Sequence, residues 1–156
     1  MAVEALKTVQ LADDYRMVPA EDHGKMRFQY FNLAATTVVG DASSTIDLCE
    51  LPPGRVRILP CSSRLTWTAF GAARQLDVGH RAYRKSGGAG TVMEAESDNA
   101  LFNNLDVAAA GAGVALSTVL KYDVYSLNGV MLYVTVRGGT IPVGTEISGL
   151  IAYLYE

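Results

Sequence analysis

The segment that decides the fold lies near the C-terminus and reads Val130-Met131-Leu132-Tyr133-Val134-Thr135-Val136. Its aliphatic residues recur at every second position, which is the period of a β-strand with one buried face. A second alternating stretch at 120–126 precedes it, and the three residues between the two stretches end in Gly129. A three-residue hairpin loop would pair Val124 with Leu132 and bring the apolar residues to one face, which a two-residue loop would not do. The sequence therefore predicts a β-hairpin with Gly129 at positive φ.

Short alternating segments separated by turn residues fill most of the chain after residue 25. The sharpest turn is Pro52-Pro53-Gly54, because two prolines cannot donate to a strand ladder and glycine permits the reversal. A possible cap at Ser97-Asp98 predicts one short helix through Leu105. No long amphipathic helices separate the strands, which argues against a parallel α/β fold. The pattern therefore predicts an all-β, jelly-roll-like antiparallel β-sandwich over residues 26–156, with at most one short helix.

Residues 1–25 show no sustained period of either kind. Acidic residues, proline and glycine break this stretch into a polar, irregular segment. We therefore expect an N-terminal arm that is flexible or bound to a partner, followed by the sandwich domain at 26–156.

The amino-acid composition limits the classes of function that the protein can have. Charged residues make up 19% of the 156 positions, against roughly a quarter in a typical soluble domain. This deficit suggests that part of the surface does not face water, as in an oligomer or a larger assembly. The net charge of −3 argues against non-specific nucleic-acid binding, and no apolar run is long enough for a membrane span. Cys49 and Cys61 match no metal-site spacing, and we expect two free thiols.

No catalytic, cofactor-binding or metal-binding group is predicted. His80 and Asp77 would point to opposite faces of a strand, and a hydrogen-bonded core histidine is the favoured interpretation of His80. His23 lies among acidic residues, but the spacing matches no metal site, so a solvated acidic segment is favoured. The sequence offers no combination of a nucleophile, a base and an orienting group that could form a catalytic site.

Three other features have both a functional and a structural interpretation, and we favour the structural one for each. The Gly87-Gly88-Ala89-Gly90 stretch lacks the ending of a phosphate loop, so a hairpin loop is expected. Trp67 with Tyr83 would make a sugar-stacking pair, although the alternation places Trp67 in the core. Arg55, Arg57 and Arg64 would form a basic stripe if their strands are neighbours, and such a stripe would bind an anion or a partner. We favour the interpretation that they belong to a polar face of the sheet.

Three stretches resemble a pattern found in virion structural proteins of tailed bacteriophages. They are Leu51-Pro52-Pro53-Gly54-Arg55-Val56-Arg57-Ile58, Gly71-Ala72-Ala73-Arg74-Gln75-Leu76-Asp77-Val78-Gly79 and Gly138-Gly139-Thr140-Ile141-Pro142-Val143-Gly144-Thr145. The likeness covers residues 50–156. It lies in the order of the strand-like segments and in the residue types at the turns. It is similar to a small β-sandwich head protein of the decoration or cement type, a class that implies no catalysis.

The resemblance implies a protein that stabilises a capsid by bridging major capsid subunits. It implies assembly as a trimer or dimer and a location on the capsid exterior after synthesis in the host cytoplasm. The alternatives are a tail, collar or fibre-associated virion component and a carbohydrate-binding β-sandwich module, which the same fold class would also host. An exposed aromatic pair on one face would favour the carbohydrate module.

The pattern of the C-terminal strand predicts where the interface with another subunit or with the capsid lies. One of its faces stops alternating from Leu150 onward, whereas a strand with one face in water keeps alternating to its end. Either the chain's own arm or loops cover that face, or a second subunit packs there, and we favour the subunit. The predicted oligomer or capsid interface is Leu150, Ala152, Leu154 and Tyr155.

Overall fold

The structure is a computed structural model, and it describes residues 5–7, 26–37, 40–41, 43–87, 90–116 and 121–155. These residues form thirteen β-strands and no helix. The strands are β1 Ala5–Lys7, β2 Met26–Leu33, β3 Thr45–Leu51, β4 Gly54–Ile58, β5 Arg64–Trp67, β6 Gln75–His80, β7 Tyr83–Gly87, β8 Gly90–Glu94, β9 Ser97–Asp106, β10 Gly111–Ala115, β11 Tyr122–Ser126, β12 Val130–Arg137 and β13 Ile147–Tyr155.

The strands pair into two sheets. Sheet A has the order β1-β3-β12-β6-β9, and sheet B has the order β10-β5-β13-β4-β11-β7-β8, with β2 added along the other side of β13. Among the described strands, every pair is antiparallel except β1 with β3. The predicted antiparallel β-sandwich is therefore confirmed.

One core is shared by the two sheets. β12 lies at the centre of sheet A, and its alternating aliphatic residues are fully buried, as the sequence predicts. β13 lies at the centre of sheet B and contributes Ile147, Ile151 and Tyr153 to the same core. Each of these strands buries the side chains that point toward the other sheet, which is the expected pattern of a sandwich.

The predicted hairpin between β11 and β12 is wrong. β11 pairs with β4 and β7 in sheet B, whereas β12 pairs with β3 and β6 in sheet A. Val124 and Leu132 are both buried, but they belong to opposite sheets rather than to neighbouring strands. Gly129 does have positive φ, at 92°, because the chain turns there from one sheet to the other.

The predicted short helix after Ser97-Asp98 is also wrong, since these residues begin β9. Leu101 and Leu105 are four positions apart, which places them on one side of a helix but also on one face of a strand. β9 pairs with β6 through two register shifts and contains Asn104 at a φ of 58°. Asp98, instead of capping a helix, forms an ion pair with Arg137 of β12.

The N-terminal arm stays a prediction, because most of residues 1–25 lie outside the described residues. The exception is β1, which pairs in parallel with the first three residues of β3, from Ala5 opposite Thr45 to Lys7 opposite Asp47. The acidic stretch around His23 is not among the residues that the structure describes.

Candidate assembly surface

Strand β13 holds the predicted interface residues, and its register with β2 decides which other residues join them. The two strands pair over eight consecutive positions without a register shift, from Ile147 opposite Leu33 to Leu154 opposite Met26. Residues directly opposite each other in a sheet project from the same face. The pairs Tyr30–Leu150, Phe28–Ala152 and Met26–Leu154 therefore lie together on one face of sheet B.

This face points away from the core. The opposite face of the same two strands carries Phe31, Leu33, Ile151 and Tyr153, all of which belong to the core. On the outward face, Met26 is 50% exposed, Phe28 39% and Tyr30 61%. We call the outward set the sheet-B patch, and its members are Met26, Phe28, Tyr30, Leu150, Ala152 and Leu154.

In the middle of β2, around Gln29, the burial is the reverse of what hydropathy favours. Gln29, which points inward, is buried, whereas Phe28 and Tyr30 on either side of it are exposed. Exposing two aromatic side chains forgoes stabilisation that burial would supply, about 1.5–3 kcal/mol for a large apolar side chain. We therefore treat this exposed apolar surface as the candidate site of interaction.

The four interface residues predicted from the sequence do not share one environment. Leu150 and Leu154 are half-buried in the outward row. Ala152 lies in the same row but is completely buried within its own chain. The segment between β4 and β5 is held against Ala152, since the amide of Leu59 donates to the Ala152 carbonyl at 2.8 Å and the Ala152 amide donates to Ser63 Oγ at 3.0 Å.

Tyr155 lies on the opposite, core-side face of β13. Its hydroxyl donates to the Pro53 carbonyl at 3.0 Å, and the Arg27 guanidinium lies 5.4 Å from the centre of its ring. These contacts fix the end of β13 against the Pro52-Pro53-Gly54 turn. Sequence reasoning missed Met26, Phe28 and Tyr30, although a signal was present, because β2 carries aromatic residues on both of its faces.

Two arginines of the suggested basic stripe, Arg57 and Arg64, border the patch. Arg57 lies opposite Leu154, and Arg64 lies opposite Leu150. Arg57 Nε donates to Asp123 Oδ1 at 2.7 Å, and Arg64 Nη1 donates to the carbonyls of Cys61 and Ser63 at 2.6 and 2.9 Å. The hydrogen bond from Arg57 also holds the pKa of Asp123 below its ordinary value. Internal partners therefore engage both arginines, which fits the polar-face interpretation.

The outward face of sheet A has the opposite character, because it carries charged side chains bound to one another. Arg81 donates to Asp47 Oδ1 at 2.8 Å and to Glu96 Oε1 at 2.9 Å, and its guanidinium lies 4.0 Å from the centre of the Tyr133 ring. The hydrogen bond from Tyr133 lowers the pKa of Glu96. The outward side of β2 and β13 in sheet B is therefore apolar, whereas this part of the outer face of sheet A is ionic.

A second ionic group on sheet A surrounds Asp77. Arg137 Nε donates to Asp77 Oδ2 at 2.9 Å, and the amide of Asn104 donates to Asp77 Oδ1 at 2.8 Å. The bond to Asp77 raises the pKa of the Arg137 guanidinium. Asp77 thus has partners of its own and is not hydrogen-bonded to His80.

His80 occupies the position expected of a core histidine. It is 1% exposed, and its Nε2 lies 3.0 Å from the Tyr122 hydroxyl while Nδ1 lies 3.1 Å from the Arg81 carbonyl oxygen. Because a carbonyl only accepts, Nδ1 carries a proton, and in the neutral ring Nε2 accepts from Tyr122. Both nitrogens are therefore engaged in structural hydrogen bonds.

A pocket of about 210 Å³ is lined in part by Tyr83 and Tyr122, the two tyrosines whose rings lie next to His80. Its walls include Tyr83, Tyr122 and the ion pair of Lys85 with Glu94, whose Nζ and Oε2 lie 3.1 Å apart. Burial, followed by the charge of Glu94, raises the pKa of Tyr83 to about 12. The phenol stays protonated at neutral pH and therefore offers a hydrogen-bond donor rather than a base.

The remaining structural interpretations agree with the positions observed. Trp67 is buried and donates from Nε1 to the Ala109 carbonyl at 2.9 Å, and Tyr83 is buried as well. Gly87 pairs with Gly90 where the antiparallel strands β7 and β8 meet. Cys49 and Cys61 are both free thiols, of which Cys49 is buried and Cys61 half-buried. Within the described part of the chain, no three His, Cys, Asp or Glu residues group as metal ligands would.

The comparisons with known proteins point to one fold. No protein-family model and no curated protein sequence matches the chain. Among solved structures, a chain from the capsid of Ralstonia phage GP4 is similar, with a TM-score of 0.65 and 20% sequence identity over 98% of this chain and 99% of that one. At this identity the likeness shows a shared fold, and it confirms the expected resemblance to a phage virion structural protein. Separately, none of the described residues forms a helix that is long and apolar enough to cross a membrane.

Proposed function

We propose that this protein is a non-enzymatic virion structural protein that decorates a phage capsid and stabilises it by bridging major capsid subunits. The observation that carries the proposal is the sheet-B patch, an apolar outward face on a chain whose fold is shared with a phage capsid chain over nearly its whole length. The protein would then lie on the capsid exterior, with the patch turned toward the shell.

The chemistry of the patch suits a protein partner. Interface cores are depleted in charge and enriched in aromatic residues and methionine, and Met26, Phe28 and Tyr30 supply those residue types. The arginines at the border already have partners within the chain, so docking leaves no new charge buried without a partner. A nucleic-acid surface would instead need free cationic groups that follow the phosphates.

The protein would act by burying additional surface where neighbouring capsid subunits meet. Internal pressure from packaged DNA separates capsid subunits, and a protein that binds two of them adds its binding free energy to the work of separation. A ligand that binds only the assembled state stabilises that state by mass action. No proton transfer, nucleophile or metal is required for this role.

The test is co-sedimentation of the purified protein with capsids that lack it. The variant Tyr30→Ser with Leu150→Ser removes apolar surface from the centre of the patch, and we expect its affinity for capsids to fall by about tenfold or more. The control is Met93→Ser, which removes a side chain of similar exposure, 59%, from β8 at a distant edge of sheet B. Capsid binding that survives the double variant, or that Met93→Ser weakens equally, would refute the proposal.

A carbohydrate-binding module is the second candidate, and one observation favours it. Phe28 and Tyr30 are an exposed aromatic pair on one face, the arrangement on which sugar rings stack. Glycan-array binding that is lost in Tyr30→Ser but kept in Leu150→Ser would favour the sugar. If the protein binds no glycan on the array but does bind capsids, the carbohydrate-binding alternative is excluded. A tail, collar or fibre-associated component is distinguished by its location in the particle.

A further inference from the structure

The pocket of about 210 Å³ that Tyr83 and Tyr122 line is separate from the sheet-B patch. Its lining residues belong to β4, β7, β8 and β11, whereas β2 and β13 build the patch. One water takes about 30 Å³ in the liquid, so the pocket has the volume of about seven waters. Pockets for drug-sized ligands begin at about 300 Å³. The space therefore suits a ligand with a single ring.

The hydroxyl of Tyr83 is available to such a ligand. Tyr83 is 8% exposed, and its hydroxyl has no hydrogen bond to any residue that the structure describes. Among the described residues, the fully buried side-chain atoms without a partner are Arg74 Nε and Ser126 Oγ, so the Tyr83 hydroxyl still reaches accessible space. A largely buried hydroxyl without a partner is unfavourable, and a ligand in the pocket would satisfy it.

Two charged side chains share a face with this tyrosine. Tyr83 lies directly opposite Glu94 in the pairing of β7 with β8, and Lys85 follows Tyr83 by two residues, so all three project from one face of the two strands. Lys85 Nζ and Glu94 Oε2 lie 3.1 Å apart, with the two side chains 48% and 39% exposed. Exposed ion pairs of this kind contribute little to stability, so a ligand can share their atoms at small cost.

The pocket offers hydrogen-bond donors and acceptors side by side. Burial and the charge of Glu94 keep Tyr83 protonated, so its hydroxyl donates. Lys85 donates as well, and the Glu94 carboxylate accepts. The Tyr122 hydroxyl gives its proton to the neutral ring of His80, 3.0 Å away, and keeps an oxygen that accepts. A ligand with several neighbouring hydroxyl groups matches this set, because each hydroxyl both donates and accepts.

The charges around the pocket favour a neutral ligand. Its lining contains two cations, Arg55 and Lys85, and two carboxylates, Glu94 and Asp123, so their formal charges cancel. Each of the four already has a partner within the chain: Lys85 and Glu94 pair with each other, Asp123 pairs with Arg57, and Arg55 has an interaction of its own. A charged ligand would have to compete with these partners, whereas a neutral one would not.

We propose that this pocket binds one neutral monosaccharide unit. The CH groups of the sugar ring would pack against the rings of Tyr83 and Tyr122, while neighbouring hydroxyls donate to Glu94 and accept from Lys85 and Tyr83. A free sugar and the terminal unit of a glycan share this chemistry. The site differs from the exposed pair Phe28–Tyr30, and it goes beyond capsid binding and does not rest on it.

Saturation-transfer difference NMR of the purified full-length protein tests the site. The probes are glucose, galactose, mannose and N-acetylglucosamine, each as the free sugar and as the methyl glycoside, with adenosine as the single-ring-base alternative. At least one sugar should give a signal, and a stronger signal from its methyl glycoside would identify the end of a glycan as the source. The proposal is overturned if no sugar gives a signal, or if adenosine displaces the sugar that binds.

Variants locate the binding. Tyr83→Phe keeps the ring but removes the free hydroxyl, and it should raise the Kd of the sugar about three- to tenfold. Glu94→Gln should raise it about tenfold or more, because hydrogen bonds to charged groups are stronger. Met93→Ser is the control, since Met93 precedes Glu94 in β8 and projects from the opposite face. Equal effects of Met93→Ser and Tyr83→Phe would contradict the site.

Thermal unfolding gives a second measurement of the same hydroxyl. Tyr83→Phe should leave the melting temperature unchanged or raise it, because the hydroxyl has no partner among the described residues. Tyr122→Phe should lower it, because it removes the hydrogen bond to His80. If Tyr83→Phe lowers the melting temperature as much as Tyr122→Phe, the Tyr83 hydroxyl is engaged within the protein and the proposal fails.

The sugar site and the proposed function can fail separately. Tyr83→Phe should co-sediment with capsids as the native protein does, and Tyr30→Ser should bind the sugar normally. Sugar binding that is lost in Tyr30→Ser but kept in Tyr83→Phe would assign the sugar to the Phe28–Tyr30 pair and overturn the pocket. If the protein binds the sugar through Tyr83 but does not bind capsids, the pocket stands and the capsid role fails.

Discussion

Tyr30 of β2 lies directly opposite Leu150 of β13, and both side chains project from the outward face of sheet B. Leu150 belongs to the face that stops alternating, so the sequence indicates it. Tyr30 comes into the same surface only through a strand pairing between residues 120 positions apart in the chain. Their adjacency turns an unusual C-terminal strand into one part of an apolar patch shared by two strands.

The first prediction concerns Gly129. Its φ is 92°, and a Cβ placed on it would lie 2.8 Å from the Leu51 carbonyl oxygen. Gly129→Val should therefore lower the free energy of unfolding by about 1 kcal/mol or more. Gly144→Val is the matched control, because Gly144 has a φ of 81° but no atom within 4 Å of an added Cβ. Urea denaturation should show a larger loss for Gly129→Val, and equal losses would mean that the contact with Leu51 adds nothing.

The second prediction concerns the two thiols. Burial raises the pKa of the Cys49 thiol far above its ordinary value, and thiolate is the form that alkylating agents attack. In the folded protein, iodoacetamide should modify Cys61 alone, and both cysteines should react after denaturation without reductant. Mass spectrometry distinguishes the outcomes: a mass lower by two hydrogens with no alkylation after denaturation would reveal a disulfide bond.

The third prediction concerns acid stability. The hydrogen bond from Tyr133, together with Arg81, lowers the pKa of Glu96 in the folded protein below the ordinary 4.5. A carboxyl with a lowered folded pKa stabilises the protein above its unfolded pKa, and this contribution disappears as the pH falls through the folded value. Glu96→Gln should therefore be less stable than the native protein at pH 7, and the difference should shrink below about pH 4.

Urea unfolding at a series of pH values measures this difference. Lys85→Gln is a suitable control, because it removes an exposed ion pair with Glu94 on sheet B without touching Tyr133. A stability gap between Glu96→Gln and the native protein that stays constant into the acid range would contradict the assignment. Capsid binding should not change in Glu96→Gln, since this residue lies on the face away from the patch.

The fourth prediction separates surface from core at the end of β13. Leu154 is half-exposed in the patch, whereas Tyr155 bonds to Pro53 and packs beside Arg27. Leu154→Asp should leave the unfolding midpoint nearly unchanged but weaken capsid binding. Tyr155→Ala should do the reverse, lowering the melting temperature, because it removes a packed ring and a hydrogen bond. If Leu154→Asp unfolds the protein, residue 154 belongs to the intramolecular core.

The sequence allowed prediction of strands and their faces but not of their neighbours. Alternation predicted correctly that Val124 and Leu132 are buried, yet they meet across the sandwich rather than side by side. Positive φ at Gly129 did not decide between the two arrangements, since a hairpin loop and a turn between sheets both favour glycine there. Strand pairing depends on contacts between distant segments, and a two-residue period carries no information about them.

The residues of the sheet-B patch could be identified from the sequence only in part, for the same reason. Leu150 and Leu154 stood out because their strand loses its alternation, but Ala152 is covered by the segment between β4 and β5, which local sequence does not reveal. In β2 both rows contain aromatic residues, so the sequence alone did not indicate that Phe28 and Tyr30 would be the exposed ones. That choice was fixed by the pairing with β13, whose core face carries Ile151 and Tyr153.

Cryo-electron microscopy of native phage particles tests the central claim most directly. Density that fits this β-sandwich should lie on the capsid exterior, with Tyr30 and Leu150 against major capsid subunits and each unit contacting two of them. The ionic face around Arg81 and Asp47 should point to solvent. The sandwich located in the tail, or bound to the shell through the ionic face with the sheet-B patch exposed, would contradict the account.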